Sequence, residues 1–322
     1  GRRLLPGAIA GLALAAAPGV LEPLRVPDAA APPAAPMVTA RLIQPNAPQH
    51  EKWDPDLAPM FFARQVDYTA APAGPLGRPD LVIWPETAVP YLLDHAEGPL
   101  DRVAAAAAGA RVVLGIQRVD AADRFYNSLV ALGPDGTAAQ VYDKTRLVPF
   151  GEYMPLTALF DRLGIFGLAA QEMSGYAPGP GPRLLDLGPA GRALPLICYE
   201  AIFPRFVRAA PERPDLLIHA TNDAWFGRVS GPYQHLAQAR LRAVEFGLPM
   251  LRAANTGVSA AIDPWGREIA RIPLGAPGHA DVIVPRALSP TPHALLGDLP
   301  VLALLAAATA GLVLAGRRLD PQ

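Results

Sequence analysis

Cys198 is the only cysteine in 322 residues, and it stands where a nucleophile would be placed. It follows the apolar run ALPLI, with Glu200 two residues on. Two further apolar runs end in reactive groups: Glu86 follows LVIW, and Asn222-Asp223 follow LLIHA. Such runs predict buried strands, and in open α/β sheets ligands bind beyond the carboxyl ends of the strands. A single cysteine excludes an internal disulfide and any multi-cysteine metal site. What remains for Cys198 is covalent thiol chemistry or the plain role of a small buried hydrophobe.

A free thiol is mostly protonated near neutral pH, whereas the thiolate is the nucleophile. Histidine is the usual helper, yet none of the six here has a recommending context. His50, His95, His279 and His293 lie in loop-like sequence, His235 on a predicted helix and His219 inside an apolar strand. Each reads as a satisfied core or surface histidine. A carboxylate and a lysine are left. Glu86, in WPETAVP, has apolar flanks that could desolvate it and suit it to act as a base. Lys144, in VYDKTRLVPFGEYMP, carries an ammonium that could favour a thiolate and stabilise an oxyanion. Taken singly, a capping glutamate and a solvated lysine stay open as alternatives.

These groups need rigid elements to hold them. VTARLIQ (38–44), DLVIWPE (80–86), RVVLGIQ (111–117), ALPLICYE (193–200), DLLIHATND (215–223) and PMLRAAN (249–255) each read as a mostly buried strand. Helical patterns lie between them at 57–70, 99–109 and 232–247, the last stopped by Gly247 and Pro249. Two hairpins are predicted, one turning at Pro134-Asp135-Gly136 and one at Pro264-Trp265-Gly266. Alternating strands and helices with hairpins predict a mixed α/β layered domain.

The whole-chain balance points to lipid. Net charge is −1, which gives no footprint for nucleic acid. Hydrophobic residues make up 51 % and charged residues only 18 %, below the roughly 25 % of ordinary soluble domains. Residues 1–24 read as a transmembrane segment, the end of a truncated membrane bundle, with a signal peptide as the competing reading. Residues 25–36 form a Pro/Ala linker, 37–290 the catalytic domain, and 294–316 a C-terminal transmembrane helix. Arg2 and Arg3 precede the first apolar segment, and Arg317 and Arg318 follow the second. By the positive-inside rule both termini are then cytoplasmic and the domain lies on the opposite, periplasmic side of a bacterial inner membrane.

The order Glu86, Lys144, Cys198 resembles the carbon–nitrogen hydrolase (nitrilase) superfamily. Its membrane-bound branch, the apolipoprotein N-acyltransferases, is resembled most closely. QPNAPQHEKWDP (44–55), VIWPETAVP (82–90), YDKTRLVPFGEYMP (142–155), ICYEAIFP (197–204) and the stretch from TNDAWFG to DPWG (221–266) carry the likeness. It covers nearly all of 37–286. The resemblance implies a four-layer α-β-β-α sandwich flanked by transmembrane helices. It implies Glu86 as general base, Lys144 as oxyanion stabiliser and Cys198 as nucleophile. Glu152, Tyr199 and Glu200 would support them, and Trp53 and Trp225 would face substrate, while Phe160 enters as a substrate contact only through the spacing of the stretch 150–182.

The implied reaction is ping-pong. Cys198 takes the sn-1 acyl chain of a phospholipid such as phosphatidylethanolamine as a thioester. The N-terminal amine of an apolipoprotein's diacylglyceryl-cysteine then receives it. Neither metal nor organic cofactor is implied. The family carries several transmembrane helices before its catalytic domain, and at most one is read here. The alternatives are a membrane-anchored amidase of the same superfamily hydrolysing a small amide, and a lipoprotein-binding module without catalysis. Between Lys144 and Cys198, residues 150–182 are too long for a plain connection. Leu156, Leu159, Phe160, Leu163 and Phe166 fall near helical spacing, and SGYAPGPGP resembles a hinge, so a mobile lid is predicted there.

Overall fold

Two six-stranded sheets, stacked against each other, position the site. The computed structural model describes residues 36–133, 135–153, 155 and 175–317. The segment 1–24, the linker up to residue 35, Phe160 with the other apolar residues of the expected lid, and Arg318 lie outside the described residues. The first sheet holds β1 (Thr39–Gln44), β2 (Leu81–Ile83), β3 (Arg111–Val119), β4 (Phe125–Leu132), β5 (Ala138–Asp143) and β12 (Gly278–Ile283), in the order β12-β1-β2-β3-β4-β5. The second holds β6 (Leu185–Asp186), β7 (Arg192–Ile197), β8 (Leu216–Thr221), β9 (Met250–Ala254), β10 (Ser259–Ile262) and β11 (Glu268–Ile272), in the order β11-β10-β9-β8-β7-β6. Each has three parallel strands at its centre, β1-β2-β3 and β7-β8-β9, and antiparallel strands outside them.

Side chains alternate along these strands and so divide the core in two. Leu42, Leu81, Ile83, Val113 and Leu129 point toward the second sheet and pack in one cluster with Leu194, Leu196, Leu217 and Met250. Ile43, Val82, Trp84, Leu114 and Val130 point the other way, against Phe62, Leu100 and Val103. Those three belong to α1 (Ala58–Ala70) and α2 (Glu97–Ala107), which cover the first sheet. On the second sheet α4 (Gly231–Phe246) contributes Leu236, Ala239, Ala243 and Phe246 to the core. The expected helix–sheet–sheet–helix layering is therefore present.

The helix stops follow the sequence. α4 ends at Gly247, whose φ of 61° is a left-handed conformation that costs glycine little, and Leu248 N–H closes back onto the Ala243 carbonyl. Both predicted hairpins form, as β4-β5 and β10-β11. Two strands are shorter than their apolar runs: β2 stops at Ile83 and β7 at Ile197, so Glu86 and Cys198 sit in the turns beyond. A short α3 (Pro204–Arg208) follows the Cys198 turn.

The expected helix 294–316 is interrupted. α5 (Pro292–Leu296) ends at Gly297 (φ 61°), and α6 (Leu299–Arg317) starts after it. No helix among the described residues is long and apolar enough to cross a membrane. The part of α6 with described side chains, 299–312, covers about 21 Å at the α-helical rise, against a hydrocarbon core of about 30 Å. Those side chains are nonetheless all exposed, Leu304 at 71 % and Leu312 at 74 %.

Candidate active site

Glu86 lies in the turn after β2. That turn rests on Gly115 of β3, which donates to the Pro85 carbonyl and accepts from Ala88 and Val89. A Cβ at position 115 would stand 2.4 Å from both the Pro85 oxygen and the Thr87 nitrogen, so only glycine permits this approach. The Glu86 carboxylate meets donors rather than the apolar walls its flanks suggest. Asn127 Nδ2 (2.7 Å) and Lys144 Nζ (3.3 Å) donate to Oε1, and the Asn222 N–H (2.8 Å) donates to Oε2.

Lys144 follows β5, its backbone fixed between Asn127 O and Gly179 N–H. Its side chain is 1 % exposed, and Nζ bridges Glu86 and Glu152, the latter at 2.7 Å. Burial pulls its pKa down. Glu86, Cys198 and Glu152 outweigh burial and hold it above its ordinary value. Glu152 also accepts from Val148 N–H at 2.8 Å.

Cys198 begins the turn after β7, buried, at a φ of 48° that non-glycine residues adopt rarely. Glu200 ties this turn to the Lys144 segment. Its Oε2 accepts from Ile197 N–H, and its Oε1 accepts from Thr145 N–H, Arg146 N–H and Tyr142 Oη. Burial pushes the Glu200 carboxyl up while these donors oppose the shift. For the Cys198 thiol, burial pushes upward to about 12, Glu86 adds to the push, and Lys144 and Thr221 oppose it.

The structure thus brings Glu86, Lys144, Glu152 and Glu200 around Cys198. Tyr199 turns its ring edge-on to Phe203, 4.9 Å between centres. Trp53 is half-exposed beside a small cavity that Glu86, Thr87, Phe61 and Asn255 also line. Trp225, 70 % exposed, is not drawn into the cluster. No group of three or more potential metal ligands occurs among the described residues.

The model of the carbon-nitrogen hydrolase family matches residues 39–288. This chain belongs to that family. As a carbon–nitrogen hydrolase it is similar to the apolipoprotein N-acyltransferase of Bradyrhizobium diazoefficiens, 40 % identical over 279 residues, 83 % of this chain and 52 % of the relative. The enzyme of that name from Rhodopseudomonas palustris is 40 % identical over 280 residues, 84 % of this chain and 52 % of the relative. The chain therefore spans about half the length of these curated relatives. Among solved structures, an amidase from Nesterenkonia sp. aligns with a TM-score of 0.57 at 18 % identity, covering 77 % of this chain and 90 % of that one. Saccharomyces cerevisiae Nit3, of the nitrilase superfamily, gives 0.54 at 18 %, with 77 % and 90 % covered. These two share the fold.

Several residues of this carbon–nitrogen hydrolase site escaped the sequence reading. Lys52 is buried, with Nζ donating to Glu86 O (3.0 Å) and Thr87 Oγ1 (2.6 Å). Burial pulls it down to about 8 against the opposing pull of Glu86 and Cys198. Its signal was available in QPNAPQHEKWDP, one residue before Trp53. Asn127 gave none, being an ordinary residue of β4.

His219 and His235, read as satisfied core, place their Nε2 atoms 3.1 Å from the Cys198 main-chain oxygen. Behind them Asp223 pairs with His235 Nδ1 at 2.9 Å and with Arg252, and Arg252 Nη1 lies 2.8 Å from His219 Nδ1. Burial, then Arg252 and His235, hold His219 well below its ordinary range, so its ring is neutral. The described end of the expected lid is fastened rather than hinge-like. Tyr176, Ala177 and Gly179 N–H groups donate to Glu152, Phe125 and Lys144 carbonyls, respectively.

Proposed function

We propose that this chain is the catalytic portion of an apolipoprotein N-acyltransferase, working through a Cys198 thioester. One observation carries the reading. A buried lysine bridges two carboxylates beside the chain's only cysteine, which a left-handed turn presents at the end of a central strand. The curated relatives of that name, matched over most of this chain, support lipoprotein N-acylation as the task.

At rest the thiol keeps its proton, and Glu86 takes it as Sγ attacks the sn-1 ester carbonyl of a phospholipid. Lys144 stabilises the negative charge that forms on the carbonyl oxygen. The C–O bond breaks, and the lysophospholipid oxygen leaves with the proton held by Glu86. In the second half the lipoprotein amine attacks the thioester, Glu86 accepts a proton from nitrogen, and the Cys198 thiol is restored as the amide forms. Glu152 and Glu200 keep Lys144 and the Cys198 turn in register, and Trp53 and Tyr199 face the acyl chain.

The domain 37–290 is held at the outer face of a bacterial inner membrane. α6 follows it and offers its exposed leucines to lipid. Acyl donor and enzyme then share one bilayer, which suits transfer over hydrolysis. The purified chain in detergent with phosphatidylethanolamine should gain a fatty-acyl mass on Cys198 and pass it to a diacylated lipopeptide. A small amide hydrolysed without any acyl adduct would replace this reading by the amidase one.

A further inference from the structure

The reaction scheme leaves His219 and His235 unused, although both aim Nε2 at one atom, the Cys198 carbonyl oxygen. His219 Nδ1 faces a guanidinium, which only donates, so that nitrogen accepts. Its proton therefore sits on Nε2 and goes to the carbonyl. His235 has no such arrangement. Its Nδ1 faces the Asp223 carboxylate and its Nε2 faces the carbonyl oxygen, and both oxygens only accept. The Arg252 guanidinium also lies near Nδ1, but at 3.4 Å against 2.9 Å for the carboxylate, so a neutral ring would press a lone pair against the nearer Asp223 oxygen or against the carbonyl.

We propose that His235 is a positioning residue that works as an imidazolium, donating Nδ1–H to Asp223 and Nε2–H to the Cys198 carbonyl, and so holds the nucleophile's backbone in its left-handed conformation. A non-glycine residue keeps a positive φ only where its surroundings over-determine it, and two N–H donors on its own carbonyl do that. Of the groups facing the ring, the Asp223 carboxylate favours the charge and the Arg252 guanidinium opposes it, with Asp223 the nearer to Nδ1. Asp223 comes from the turn after β8, Arg252 from β9 with Nη2 3.4 Å from Nδ1, and His219 from β8 with ring centres 5.0 Å apart. The Phe226 ring closes the remaining side at 5.2 Å. Burial opposes charge on Asp223, but Arg252 and His235 hold its carboxyl down at about 2, so an anion is always present to receive Nδ1–H. Guanidinium and imidazolium against one carboxylate leave a net positive charge under the Cys198 peptide, which favours negative charge on the sulfur.

This inference rests on Cys198 as nucleophile but not on its acyl donor, so the tests use no lipid. In the full chain in detergent, selective 15N labelling of the six histidines should show His235 with both ring nitrogens protonated at pH 7. Because Cys198 is the only thiol, iodoacetamide labelling followed by intact mass reports on it alone. His235→Gln, which keeps a donor and loses the charge, should slow alkylation roughly ten- to a hundredfold and shift its pH profile upward. His235→Leu should slow it further. A His235 ring with one protonated nitrogen at pH 7 overturns the proposal, whether or not the variants fold. So does an unshifted alkylation profile in a folded His235→Gln protein.

Discussion

Two buried charge clusters flank Cys198, built from the same kinds of groups. On one side Glu86, Lys144 and Glu152 stand at the edge of the site, the carboxylates 8 % and 14 % exposed. On the other, Asp223 and Arg252 are fully dry and His235 only 5 % exposed. The first cluster faces the thiol, and the second faces the carbonyl of the same residue. A charge that must exchange protons with a substrate needs a path to it. A charge that only holds a backbone is better shut away, where its hydrogen bonds are strongest. Composition alone would not separate the two; burial and the atom addressed do.

The sharpest way to break this contrast is at Cys198 itself. Cys198→Ala should abolish both acyl-enzyme formation and transfer, and any surviving transfer in micelles would remove the thioester from the mechanism. Next come Glu86→Gln and Lys144→Met, expected to lower acyl transfer roughly 10²–10⁴-fold each. Lys144→Met also strands two buried carboxylates, so its melting temperature should fall well below that of Glu86→Gln.

Arg252→Met tests the other side. It leaves Asp223 with less compensation in a dry setting and should cost roughly 3–5 kcal/mol of stability in denaturant titration. If the second cluster were catalytic rather than supporting, rate would collapse while stability held.

Gly115→Ala probes the floor beneath Glu86. Its new Cβ meets backbone atoms that cannot yield, so a loss of about 1–3 kcal/mol is expected, with slower Cys198 acylation. A last test concerns Lys52. Its folded value near 8 lies below its ordinary 10.5, so between those limits the unfolded chain binds a proton that the folded chain has released. Stability from this group therefore rises with pH across that window. The melting temperature of wild type relative to Lys52→Met should climb from pH 8 to pH 10.5, and a flat difference would contradict it.

Much of this was legible in the chain, and the reasons for the remainder are physical. Glu86 and Cys198 announced themselves because each ends an apolar run, and a strand end is a local signal. Lys144 needed its motif, since a lysine after a half-exposed strand usually faces water. β12 was missed because its GHADVI carries Asp281, which reads as a breaker; in the fold that carboxylate receives both Arg41 Nε and Nη2. His219 and His235 were dismissed because nothing local marks them. Their partners lie 21 and 37 residues away in sequence and meet only once β8, β9 and α4 pack together.

A sole thiol held near 12 and walled in by its own fold is also a durable one. Oxidation to sulfenic acid and mixed-disulfide exchange both proceed through the thiolate. In an oxidising compartment a cysteine of ordinary acidity would be at risk between turnovers. On the proposed mechanism the sulfur becomes nucleophilic only while Glu86 removes its proton, so chemical resistance at rest and reactivity on demand would come from one arrangement.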